Sequence, residues 1–149
     1  MGFKTEKVED LGYGFSYEGS NFVWMDNGED EDFLNIALPS VYEFTSDNVV
    51  QSCAISQKVN STLKYIKAYA LGDSLWLFYE RELTGDEDLE MLLSRMILRL
   101  DNALGFTRKA IQEIENTVSG NDDEDEEDDS AAEDTDAVEI TDDEDNSEK

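Results

Sequence analysis

Period-two alternation dominates the first forty residues. From Gly12 to Tyr17 small and aromatic residues alternate as on a strand, Glu18 to Asn21 form a turn cluster, and Phe22 to Met25 reads as the returning strand. Asp26 to Glu31 is a second, very acidic turn. Phe33 to Leu38 makes a third strand, and Pro39, which has no N–H to give a ladder, is expected to end it. Ahead of these, residues 3–11 place Phe3, Val8 and Leu11 roughly on one side of a short leading helix.

The pattern then changes. Thr45 or Ser46 can cap a helix that runs to about Val59, with Asp47 suited to its first turn and Asn60-Ser61 as its stop. Val50, Cys53, Ala54 and Gln57 form its modest stripe, so the Cys53 thiol is expected to be buried and inert. Leu63 to Leu71 and Ser74 to Glu80 flank Gly72-Asp73, a two-residue hairpin turn between β-rich runs. In the second run Leu75, Leu77 and Tyr79 face one way and Trp76, Phe78 and Glu80 the other. A strand apolar on both faces is either central in a covered sheet or covered by a partner.

The last ordered element is a long helix. Thr84-Gly-Asp-Glu87 fits the S/T-x-x-E capping box. Leu89, Leu92, Leu93, Met96, Leu100, Leu104, Thr107, Ile111 and Ile114 hold one stripe at helical spacing. From Asp86 to Asn116 such a helix spans on the order of 45 Å, more than one small sheet covers. A kink at Gly105 or a second subunit is expected to absorb the surplus.

Composition divides the chain in two. Of its 149 residues, 38 are acidic and 11 basic, and residues 121–149 hold 17 of the acids with one base, Lys149. Asp122 to Asp129 is an unbroken acidic run and Asp142 to Asp145 another. Such a segment cannot offset its ordering entropy by burial. The expected organisation is therefore an α+β domain over 1–118 and a disordered acidic tail over 119–149. A net charge of −27 disfavours nucleic acid and anionic membrane as partners, leaving proteins and cations. The polar start shows no signal segment, no apolar run is long enough to span a bilayer, and a single cysteine suits a reducing compartment. The cytoplasm is the expected location.

Chemistry is sparse. There is no histidine, which removes Ser-His-Asp and Cys-His nucleophiles, His-containing zinc sites and the commonest base near neutral pH. One cysteine removes the Cys-rich zinc patterns. Gly12, Gly14 and Gly19 do not match a dinucleotide-binding spacing, and no phosphate-binding loop motif is present. The Asp26–Asp32 loop has oxygen ligands but lacks the EF-hand register of glycine and glutamate. The aromatic residues on the strands lack the basic company that RNA stacking requires. No catalytic, cofactor-binding or metal-binding residue is assigned, and the chain is read as a non-enzyme.

The segment from Lys58 to Tyr69, within the order helix, three strands, helix, two strands, long helix, resembles the YbjN family of bacterial proteins. The matching features are Asn60 at a helix end, the strand Leu63–Leu71, the turn Gly72-Asp73, the aromatic run Trp76–Tyr79, and Gly85-Asp86 opening the closing helix. The likeness covers about residues 3–116 and leaves the tail outside. It implies a fold like that of type III secretion chaperones, dimers that bind extended segments of other proteins. It also implies a loose role as a sensory transduction regulator, and it brings no catalytic residues.

The expected protein is thus an antiparallel sheet of about five strands with helices on one face, in the order α-β-β-β-α-β-β-α. Its expected work is to bind a protein partner through the folded surface, as a homodimer that buries part of the long helix or the Ser74–Glu80 strand. The alternative gives the work to the tail, as an electrostatic decoy or buffer for basic proteins or cations.

Overall fold

Two tight turns set the register of the sheet. Glu18 and Gly19, both in the left-handed region, join Tyr17 to its partner Ser20, and Gly72, also left-handed, joins Leu71 to Ser74. In the computed structural model, which describes residues 2–121, the strands are β1 (Glu6–Val8), β2 (Gly12–Tyr17), β3 (Ser20–Met25), β4 (Phe33–Glu43), β5 (Ile66–Leu71) and β6 (Ser74–Glu82). Helix α1 (Val49–Thr62) lies between β4 and β5, and α2 (Leu89–Asn121) follows β6. The six strands form one antiparallel sheet in the order β1-β2-β3-β4-β6-β5.

The α+β class and the placing of both helices on one face hold, but the sheet has six strands and begins differently. The leading helix expected over residues 3–11 is instead the edge strand β1. Asp10 takes a left-handed φ of 60° and turns the chain back, so that Glu6 pairs with Gly14 and Val8 with Gly12. So short a segment gains more from an existing sheet than from nucleating a helix. Phe3 then stacks on Phe15, ring centroids 5.1 Å apart.

Pro39 does not end its strand. β4 continues to Glu43 through a bulge between Leu38 and Tyr42, where no ladder N–H is required of the proline and Ser40 takes a φ of 51°. Helix α1 starts later than expected, after Asn48. Its amide folds backward, accepting from Thr45 N–H at 2.8 Å and donating to the Glu43 carbonyl at 3.0 Å. The helix passes Asn60 and ends at Thr62.

The capping-box residues form a turn just before α2. Glu87 accepts from the N–H groups of Thr84 and Gly85, each at 2.9 Å, and from Arg81 at 2.7 Å, while Asp88 caps the helix through Met91 N–H at 3.0 Å. Chiefly the Thr84 N–H, opposed by desolvation and helped by Gly85 and the Thr84 hydroxyl, holds the Glu87 carboxyl down at about 2. A depressed pKa stabilises the fold above the ordinary carboxylate value and loses that contribution as pH falls through about 2. Denaturant midpoints of the protein and of Glu87→Gln are therefore expected to differ at pH 6 and to converge as the pH is lowered toward 2. A gap that stays constant with pH contradicts this.

The core lies between the helices and one face of the sheet. Leu34, Ile36, Leu75 and Leu77 meet Ile55 and Val59 of α1 and Met96 and Leu100 of α2, all essentially inaccessible. On the opposite face Ala37, Trp76 and Phe78 form a second cluster, with Leu11, Met25 and Leu71 packed against it. β6 is central and both of its faces are hidden within one chain, Trp76 at 8% and Phe78 at 1% exposure. The Ser74–Glu80 strand is therefore not left over for a second subunit. Helix α2 runs unbroken through Gly105, and its far end packs on α1, with Lys58 paired to Glu113, and meets the end of β4, where the Tyr42 hydroxyl donates to Glu115 at 3.3 Å. That accounts for much of its surplus length. Leu89, expected on the inner stripe, is half exposed with Met91 and Leu98. The expected tail lies, from residue 122, outside the described residues.

Candidate functional site

The sheet ends at β5, and an end strand presents unpaired backbone groups. Along β5 these alternate: Lys67, Tyr69 and Leu71 turn theirs toward β6, so Ile66, Ala68 and Ala70 turn theirs outward. Ala68 is answered by a side chain. Asn60, on α1, donates from Nδ2 to the Ala68 carbonyl at 2.9 Å and accepts the Ala68 N–H on Oδ1 at 2.8 Å. One amide thus completes both backbone bonds, as a neighbouring strand would. No corresponding side chain meets Ala70 among the described residues.

Beside that open position lies a groove of about 370 Å³ between α1 and β5, lined by Phe44, Val49, Ser52, Cys53, Ser56, Ala68, Tyr69 and Ala70. Its walls are almost wholly carbon. Val49 is half exposed at its mouth. Cys53, read from the sequence as buried, is exposed here. The inward positions of α1 are Ser52, Ile55 and Val59, a phase one residue away from the stripe that contained Cys53. Three acidic residues adjoin the groove's lining along the chain: Glu43 precedes Phe44, Asp47 lies in the turn leading to Val49, and the Asp73 carbonyl accepts from Phe44 N–H at 2.7 Å.

The outer face of β5 is tied down by charge. Lys67 pairs with Glu80, and the Tyr69 hydroxyl donates to Glu80 at 3.2 Å while its ring stacks on Phe78, centroids 4.0 Å apart. Burial first, then the Glu80 charge, pushes the Tyr69 hydroxyl up to about 12, so it stays a donor at neutral pH. This arrangement braces the edge strand from behind and leaves its rim free.

The acidic Asp26–Asp32 loop closes on itself, Asp26 accepting from Gly28 N–H at 2.9 Å and Asn27 donating to the Phe33 carbonyl at 2.6 Å. Among the described residues no group of three or more acids or thiols is placed to hold a metal ion, and no helix is long and apolar enough to cross a membrane. Sequence reasoning missed both functions of α1 at this site. An asparagine near a helix end reads as a stop, and only the adjoining strand shows that its amide faces Ala68. Scanned against protein-family models the sequence matches none, and a search of curated proteins finds no match either.

Proposed function

We propose that this chain is a non-enzymatic protein-binding module, chaperone-like or regulatory, that takes an extended segment of another polypeptide along the rim of β5. The observation that carries this reading is the unanswered backbone of Ala70 beside an apolar groove. Added strands bind through main-chain hydrogen bonds and gain selectivity from pockets for alternate side chains. The carboxylates of Glu43, Asp47 and Asp73, which adjoin the groove along the chain, favour a segment with small apolar residues and a lysine or arginine flank. The resemblance to YbjN proteins and to type III secretion chaperones points to the same class of work, and a second copy fits the half-exposed pair Met91 and Leu98, seven residues apart on one face of α2.

Cys53 supplies the test, because it is the chain's single cysteine and lines the groove. A seven-residue probe of alternating valine and threonine with lysine at each end is expected to slow maleimide labelling of Cys53 by about tenfold at saturation. The backbone N-methylated probe, and the natural probe on Ala70→Pro, are expected to give no protection. Light scattering of the same chain is expected to find two copies per particle. Protection by the N-methylated probe sinks strand addition. Protection that vanishes when residues 122–149 are deleted favours the rival reading, in which the acidic segment is the binding element.

A further inference from the structure

The ion pairs of the described residues use Lys4, Lys58, Lys67 and Arg81; Arg99 belongs to none of them. Its guanidinium carbon lies 4.3 Å from the centre of the Tyr65 ring, and Nη1 donates to the Tyr79 hydroxyl at 2.9 Å. Tyr65, 62% exposed and held at a left-handed φ of 68°, lies nearly parallel to Tyr79. A stacked guanidinium is held in orientation, and its remaining N–H donors face outward along its edge. They border a pocket of about 250 Å³ that Leu63, Lys64, Asn102 and Ala103 also line. A fork of donors, an ammonium and an amide around one hollow match a carboxylate.

We propose that this pocket is a carboxylate site, and that its occupant is the acidic run Asp142–Asp145 of the same chain. Reach permits it. Arg99 stands 22 residues before the end of α2, about 33 Å along the helix, while the 21 residues from Asn121 to Asp142 extend to at most about 70 Å. Tethering raises the local concentration of the run far above that of any free acidic peptide. Charge selects the location. The groove beside β5 holds no cation and adjoins Glu43, Asp47 and Asp73 along the chain, whereas Lys64 and Arg99 line this pocket and attract the run. The acidic run and the extended partner thus take opposite ends of β5.

The test uses the full chain carrying Cys53→Ser and Asn146→Cys, with a nitroxide on the new thiol. Amide signals of Lys64, Tyr65, Arg99 and Asn102 are expected to broaden selectively at low salt. The effect is expected to fall about fivefold in roughly 0.5 M NaCl and in Arg99→Gln. Lys64→Gln, which leaves the Arg99–Tyr65 stack in place, is expected to weaken it by a smaller factor. Broadening spread evenly over the surface, or unchanged in both variants, overturns the proposal. So does broadening that appears equally when spin label and observed amides are on different molecules, which assigns the pocket to a second copy.

Discussion

Gly12→Ala is expected to be the most damaging single-methyl change in the described chain. Gly12 sits at a φ of +135°, and a Cβ built there lies 2.0 Å from the Trp24 carbonyl oxygen and 2.9 Å from the Asp26 nitrogen. Both are backbone atoms, so no side chain can swing aside. Roughly 1–3 kcal/mol of backbone strain and roughly 1–3 kcal/mol of forced displacement together give a loss of about 2–6 kcal/mol. Gly14→Ala, whose Cβ meets only the tip of Val8 at 3.1 Å, is expected to cost under about 1 kcal/mol. The loss in Gly12→Ala has a location. Asp26 N–H bonds the Leu11 carbonyl at 2.8 Å, and this closure holds Leu11 and Met25 over Trp76 and Phe78. Denaturant melts and an apolar-surface dye should therefore report lower stability and new dye binding together. A Gly12→Ala protein as stable as the parent would show that the close approach is dispensable.

That closure marks where the sequence stops informing. Alternation identified β2, β3 and both faces of β6, because period-two burial is local. The same alternation could not say that the second face of β6 is covered by the chain's own Leu11 and Met25, since the contact depends on a glycine that reads as one small residue among several. The sequence therefore suggested an apolar surplus on the strand, and the fold removes it. The β1 segment failed for a related reason: its partner, β2, decides its state, and isolated residues 3–11 carry no pattern strong enough to reveal that. In α2 the inner stripe from Leu92 to Leu104 was correctly read from spacing, and Ala103 and Ala110, fully buried, were missed because alanine carries little hydrophobic signal.

The groove was harder to see. Cys53, Val49 and Ala70 are ordinary residues of a helix and a strand, and their meeting is a tertiary fact. Arg99 carried no signal along the chain; its stack on Tyr65 joins residues 34 positions apart. Asn60 and Cys53 drew notice in advance, the first read as a helix stop and the second as a buried thiol, and neither as part of an open groove.

Asn60→Leu is expected to show what that amide does. Ala68 is 2% exposed, so its N–H and carbonyl depend on Asn60 for partners, and an isosteric apolar side chain keeps water out while answering neither. The unpaired groups should cost about 1–3 kcal/mol, whereas Asn60→Ala, which admits water, should cost nearer to about 1 kcal/mol. Asn60→Asp retains the acceptor for the Ala68 N–H and sets a carboxylate against the Ala68 carbonyl, so it should fall with Asn60→Leu rather than with the parent. The three variants also lengthen the open rim from Ala70 to Ala68. A rim with two adjacent outward positions is a better template for strand pairing, so Asn60→Ala should grow beyond the parent's two copies per particle, seen as a light-scattering mass that rises with concentration. The proposed partner segment should bind Asn60→Ala at least as tightly as the parent, because the amide competes with it for Ala68. Weaker capture by a folded Asn60→Ala would mean that Asn60 contacts the partner itself and that the strand is added farther from α1 than Ala68.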